Sequence, residues 1–154
     1  MLYRETAAPL RAYAARVLGN ASQADDVVQE TYLRLLRVPV SFDTRNELRA
    51  YLFRIASNLI ADHFRKQKRE SPLSDAPDAG VQEGDLPSRV DMGRVFRLLR
   101  PRERQLLWLA HVEGANYHEL AKALGLGEGS VRVLLSRARK KLAALISAID
   151  RTRQ

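Results

Sequence analysis

ELAKALGLGEGSVRVLLSRARKKL, from Glu119 to Leu142, places a short and a long apolar pattern on either side of a glycine turn and ends in a run with five basic side chains. Two helices that cross closely need a small residue where they touch, a glycine where the turn takes positive φ, and an aliphatic residue where the second helix packs back. Ala121, Gly125 and Val131 fill those places, four and then six residues apart. The inward stripe continues through Leu135, Ala138, Leu142, Leu145 and Ile149 at helical spacing. That register turns Gly129, Ser130, Arg132, Val133, Ser136, Arg137 and Lys140 outward, with Arg139 and Lys141 beside them. A second helix that presents its N-terminal residues outward is the usual major-groove reader. The pattern also suits an ordinary helical hairpin with a basic surface. Arg and Lys serve base edges or phosphates, and spacing does not choose between them. Glu128 suits a cytosine amino group or the positive end of its own helix.

Upstream of this stretch, VDMGRVFRLL predicts a short helix, and Pro101 stands in the first turn of PRERQLLWLAHVE, where its missing N–H is harmless. Gly114 ends that second helix, Tyr117 to Leu124 forms the next, and a final helix runs from about Glu128 to Ile149. Trp108 falls on the apolar side of the Pro101 helix and reads as core rather than as a stacking platform.

The N-terminal part predicts three more helices. Leu10, Tyr13, Ala14, Val17 and Leu18 recur at helical spacing, and Gly19 with Asn20 stop the pattern. Ser22 followed by Asp25 resembles a capping box, and Val27, Val28, Thr31, Tyr32 and Leu35 form the buried stripe of the second helix, which Pro39 closes. The loop VPVSFDTRN then leads into a long helix from about Glu47 to Arg69, with Leu48, Tyr51 or Leu52, Ile55, Leu59 and His63 inward.

Charge divides the chain. Residues 1–48 are neutral and residues 49–69 carry net +5; residues 70–88, ESPLSDAPDAGVQEGDLPS, carry −5 with no Lys or Arg. The remainder is basic again, and the whole chain of 154 residues has a formal charge of +8. The acidic stretch has three prolines and two glycines and too few apolar residues to offset the entropy of ordering it, so it reads as a flexible linker. The expected fold is therefore all-α: two small helical bundles, residues 1–69 and 89–154, joined by the flexible acidic linker 70–88, with the helix-turn-helix in the second. The basic excess favours a polyanionic partner.

There are no cysteines, which excludes disulfides and thiolate metal sites. No apolar run approaches the roughly 18 residues of a membrane span, and MLYRETAAPL lacks the layout of a signal peptide, so a cytoplasmic location is expected. His63, His111 and His118 stand in no metal-ligand pattern, and no glycine-rich phosphate loop or nucleophile motif occurs. No enzyme activity, cofactor or metal is expected.

Taken together, DDVVQETYLRLLR, AYLFRIASNLIADHFRKQKR and PRERQLLWLAHVEGANYHELAKALGLGEGSVRVLLSRARKKL resemble the extracytoplasmic-function group of bacterial sigma-70 factors. The resemblance covers nearly the whole chain. It implies two promoter-binding domains, region 2 and region 4, and a function in directing core RNA polymerase to promoters. By it, Asp26, Gln29, Glu30 and Leu33, which fall outside the buried stripe, bind the β′ clamp helices. Arg54, Asn58, Asp62, Arg65, Lys66 and Arg69 follow the minus 10 element. Phe42, the only aromatic of the preceding loop, either helps to hold an unstacked base or covers the core. Ser130, Arg132, Val133, Ser136, Arg137, Arg139 and Lys140 face the minus 35 element.

The resemblance further implies contact with the polymerase β flap, an anti-sigma factor as partner, a monomer when bound to core, and a linker passing near the active centre and RNA exit path. Val133 and Leu134 stand where many members of the group carry a small polar and then a basic residue. Leu134 suits a wider buried face, and Val133 a thymine methyl. Tyr51 stands where tryptophan is frequent.

Two rival readings use the same residues. A sigma-like mimic that sequesters an anti-sigma protein has no physical need of basic stripes on both helices. A simple helix-turn-helix repressor uses the second module and leaves the first 69 residues unexplained.

Overall fold

The computed structural model describes residues 2–39, 41–70 and 92–152, and among them every regular element is α-helical. In chain order these are α1 (Leu2–Leu18), α2 (Ala21–Arg37), α3 (Arg45–Glu70), α4 (Met92–Arg97), α5 (Pro101–His111), α6 (Tyr117–Leu124) and α7 (Glu128–Thr152). The acidic stretch expected as a linker lies, from residue 71 onward, outside the described residues.

In α1 the predicted apolar residues Leu10, Tyr13, Ala14 and Val17 are fully buried, and Gly19 leaves the helix at φ 69°. The start of α2 differs from the expected Ser22 cap. Asn20 holds the extended conformation required of a cap, φ −148°, and its side-chain oxygen accepts from the Gln23 N–H at 3.0 Å. Ser22 is already helical, so its side chain is in the wrong place to cap. Asp25 is consequently not part of a capping box; it accepts from Arg11 Nε at 2.7 Å and ties α2 to α1. Downstream, Val27, Val28 and Thr31 are buried with Tyr32 and Leu35 half-buried, as the stripe predicts.

Helix α3 begins two residues earlier than expected. The Thr44 hydroxyl accepts from the Glu47 N–H at 3.1 Å while the Glu47 carboxylate accepts from the Asp43 N–H at 3.0 Å, which satisfies donors that a helix start leaves unpaired. Its buried surface is also wider than the predicted stripe. Leu52 and Ile55 are buried as expected and Leu48, Leu59 and His63 are half-buried, but Phe53, Ala56, Ser57 and Ile60 are buried as well. A stripe read from one helix accounts for one neighbour, and α3 has neighbours on two sides: α1 and α2, and also α5 and α6.

The C-terminal bundle follows its signals closely. Pro101 is at the first helical position, and the Arg100 N–H donates to Glu103 Oε1 at 2.7 Å. Gly114, at φ 71°, makes the turn after α5, and the Ala115 N–H returns to the Leu109 carbonyl at 2.9 Å.

The two bundles meet in a single apolar core, in which Leu10, Tyr13, Leu52 and Ile60 join Leu99, Leu106, Leu120 and Leu135. Fully burying a side chain of this size is worth roughly 1.5–3 kcal/mol, so the shared core is a substantial attraction between the bundles.

Candidate promoter and polymerase interfaces

The turn that decided the fold is built as its sequence requires. Asn116 caps α6, its side chain accepting from the Glu119 N–H at 2.8 Å and its own N–H donating to Glu119 Oε1 at 3.0 Å. Gly125 takes φ 66°, and the next N–H, of Leu126, reaches back to the Ala121 carbonyl at 3.0 Å. A side chain at position 125 would be strained in this left-handed conformation. Ala121, Val131, Leu135 and Ala138 are buried at the crossing. Arg102 Nη1 donates to the Leu124 carbonyl at 3.2 Å, and Lys141 pairs with Glu103 at 3.0 Å, so α5 braces both arms of the turn. Burial lowers the pKa of Arg102; Tyr13 opposes the shift and the charge of Arg65 adds to it.

Ser130, Arg132, Val133, Ser136, Arg137, Arg139 and Lys140 are all exposed on α7. They are not equivalent. The Arg132 guanidinium lies 4.7 Å from the centroid of the Tyr117 ring, a cation–π contact that limits its rotamers. Arg139 Nε donates to His111 Nε2 at 3.0 Å, which draws it towards α5. Val133 is 49% exposed, whereas Leu134 is half-buried against the core. Leu134 thus widens the buried face, and Val133 is free to meet a ligand. Glu128 at the start of α7 meets His118 Nδ1 at 2.9 Å, bridging the two helices of the turn.

On α3, Arg54, Asn58, Asp62, Arg65, Lys66 and Arg69 are exposed along one stripe. Asp62 pairs with Arg65 at 3.0 Å, which places an acidic group within the basic track. Phe42 is half-buried, its ring centroid 5.2 Å from that of Tyr51 at an interplanar angle of 50°. The loop aromatic therefore rests on α3 beside the stripe.

On α2, Asp26, Gln29 and Leu33 are exposed and Glu30 is half-buried, with Arg34 Nε on its carboxylate at 3.2 Å. Sequence reasoning overlooked Leu36, three residues beyond Leu33 on the same face. It is 81% exposed beside Leu33 at 47%, an apolar pair open to solvent. The available signal was the i, i+3 spacing of two leucines away from the buried stripe. A second apolar surface appears between α4, α5 and α7, where Met92, Phe96, Trp108, Val112 and Leu142 line a groove. Trp108 lies edge-on to Phe96, centroids 6.2 Å apart, with the Arg16 guanidinium 5.8 Å from its own ring. It packs against the core, as expected.

Among the described residues no group of three or more His, Cys, Asp or Glu could hold a metal ion, and no helix is long and apolar enough to cross a membrane.

Residues 2–70 match sigma-70 region 2, and residues 89–142 match sigma-70 region 4. The chain is similar to the ECF RNA polymerase sigma factor SigL of Mycobacterium tuberculosis, 32% identical over 160 residues that cover 99% of this chain and 90% of that protein. It is also similar to the ECF RNA polymerase sigma factor EcfG of Rhodopseudomonas palustris, 35% identical over 142 residues covering 89% and 78%. Among solved structures it resembles the sigma factor RpoE in complex with the anti-sigma factor NepR from Bartonella quintana, with a TM-score of 0.73, 25% identity and 94% of each chain covered. With both regions matched in order and the relatives aligned over most of their length, the chain belongs to the extracytoplasmic-function group of sigma-70 family RNA polymerase sigma factors.

Proposed function

We propose that this alternative sigma factor carries out promoter recognition through two separate faces, the α3 stripe at the minus 10 element and the α7 stripe at the minus 35 element. The observation that carries the assignment is that both stripes are exposed while the apolar residues interleaved with them are buried. Arg54, Arg65, Lys66 and Arg69 supply phosphate contacts along α3, with Asn58 and Asp62 between them. Phe42, resting on Tyr51, borders this track and is positioned to stack on an unstacked base. On α7, Arg132 and Arg137 are the candidates for base edges, Val133 for a thymine methyl, and Ser130, Ser136 and Lys140 for the phosphates around them. Arg139, held by His111, belongs at the margin of this face.

Core polymerase is bound by α2 through Asp26, Gln29, Glu30, Leu33 and the additional Leu36, on the β′ clamp helices. An exposed apolar pair within a polar rim suits a protein interface. The groove of Met92, Trp108, Val112 and Leu142 takes the β flap. Region 2 spans 1–69 and region 4 spans 89–154, and the protein works in the cytoplasm as one copy per core enzyme. The resemblance to a sigma factor held by an anti-sigma factor supports an anti-sigma partner here as well. The two exposed basic stripes weigh against a mimic that only titrates such a partner, and the region 2 bundle weighs against a simple repressor.

Run-off transcription with core polymerase on a cognate promoter is expected to depend on this protein. Complete failure to bind core would reject the reading.

A further inference from the structure

Two side chains at the front of α7 are each held by a different residue of α6. Glu128, the first residue of α7, meets His118 Nδ1 at 2.9 Å; an ionised carboxylate only accepts, so Nδ1 is the donor. Arg132, one turn further on, has its guanidinium 4.7 Å from the centroid of the Tyr117 ring. Glu followed four residues later by Arg is the favoured ion pair of an exposed helix. Among the described residues Glu128 and Arg132 nevertheless do not pair with each other. Tyr117 and His118, adjacent at the start of α6, thus keep apart an acid and a base that would otherwise neutralise one another.

A carboxylate in that place works against general DNA binding. The N-terminal residues of a helix in the major groove stand between two rows of phosphates, where a negative charge weakens attraction to every sequence. The dipole of α7 favours an acid in its first turn, but that benefit needs no contact with His118. Nor does the contact add much stability, since the two side chains are 64% and 51% exposed. What it supplies is direction. It fixes Oε1 and leaves Oε2 without a hydrogen-bond partner among the described residues, whereas the nearby Glu119 is committed to the cap of α6.

A directed acceptor has one good match in the major groove. Cytosine presents only its N4 amino donor there, whereas guanine O6 and N7 and thymine O4 are acceptors that a carboxylate repels, and adenine sets its N7 acceptor beside its amino group. We propose that Glu128 selects a cytosine in the minus 35 element and that His118 is the residue that positions it. This rests on the minus 35 reading of α7 above and adds an acceptor to a face otherwise made of donors. Discrimination then comes from repelling the wrong base as much as from holding the right one.

The test uses polymerase holoenzyme formed with the full chain, selecting duplexes from a pool randomised over the minus 35 element. With the wild type, one position is expected to favour cytosine over guanine and thymine roughly tenfold or more. Glu128→Gln is expected to move that position towards adenine, because a glutamine amide both donates to N7 and accepts from the adenine amino group. A change of preferred base at one position is an outcome that a folding defect does not produce. His118→Phe is expected to reduce the cytosine preference roughly threefold, as loss of an exposed charged contact would, and His118→Asn to restore it by placing an amide N–H where Nδ1 stood.

A carboxylate that serves only the helix dipole would lower the melting temperature of Glu128→Gln and leave the base profile of the wild type intact; that result overturns the proposal. An unchanged profile in His118→Phe removes His118 from the positioning role. Absence of selection at every position by the wild type would reject the minus 35 reading itself, and selection that is normal but indifferent to residue 128 would reject this inference alone.

Discussion

Arg104 and Val17, 87 positions apart in the chain, are joined by a hydrogen bond of 2.6 Å from the guanidinium to the backbone carbonyl. The same guanidinium donates to the carbonyls of Phe96, Leu99 and Arg97 at 3.0–3.1 Å, so one side chain serves the ends of α1 and α4 together. Burial lowers its pKa to about 10, which leaves it charged at neutral pH, and the carbonyl dipoles answer that charge. Arg104→Met is expected to destabilise the protein by about 3 kcal/mol, because buried carbonyls lose their donors. Chemical denaturation measures this, and a loss within the ordinary range of a surface substitution would remove Arg104 from this role.

Arg132 and Arg137 are both exposed on α7 but are expected to differ in kind from the lysines near them. Replacing either with Ala should weaken minus 35 binding by about 1–3 kcal/mol where a base is read bidentately, and should reduce the salt slope by about one where only a phosphate is touched. Binding isotherms at several salt concentrations separate the outcomes. Wild-type behaviour by both variants at every salt would place the reading face elsewhere.

Tyr117 is expected to act through Arg132. Its ring is 4.7 Å from the guanidinium and pre-sets the direction of that side chain. Tyr117→Leu should cost about 0.5–1 kcal/mol of minus 35 affinity with Arg132 present and close to nothing with Arg132→Ala. Additive losses in the double-mutant cycle would show that the ring does not orient the arginine.

Leu33 and Leu36 are exposed yet apolar, so their replacement should spare the fold. Leu36→Asp is expected to reduce affinity for core polymerase at least about tenfold, equivalent to 1.4 kcal/mol, with little change in melting temperature. Unchanged competition against another sigma factor for core would exclude this face from the interface.

Tyr13 gives the fold an alkaline limit. Its hydroxyl lies 2.8 Å from Ser57 Oγ, and burial drives its pKa well above the usual phenol value. The unfolded chain therefore releases this proton at about pH 10 while the folded chain keeps it, so the folded state binds more protons and loses stability as pH rises above that point. Arg104, lowered by burial, acts in the opposite sense over the same range and is common to wild type and variant. Tyr13→Phe should cost about 1 kcal/mol at pH 8 through the lost hydrogen bond, with the gap to wild type narrowing above pH 10. Urea unfolding at the two pH values tests the sign, and a constant gap would contradict it.

The helices and the turn were legible in the chain because their causes are local. Ala121, Gly125 and Val131 meet steric demands set within a dozen residues, and the stripes of α2 and α7 follow from a 3.6-residue period that needs no knowledge of a partner. The two exposed basic tracks follow from the same register, since what is not turned inward is turned out. Even the local misreading, Ser22 for Asn20 as the cap of α2, was an error of two residues between side chains of the same capping chemistry.

What the tertiary structure alone decided is where one helix answers to two neighbours. Phe53, Ala56 and Ile60 read as ordinary off-stripe residues until α5 and α6 cover them, and Arg104 reads as one more surface cation until four carbonyls converge on it. Leu36 lies off the predicted stripe of α2, and only the packing shows how far it stands open to solvent. Periodicity records that a face is buried, but which surface buries it depends on contacts between residues far apart in sequence.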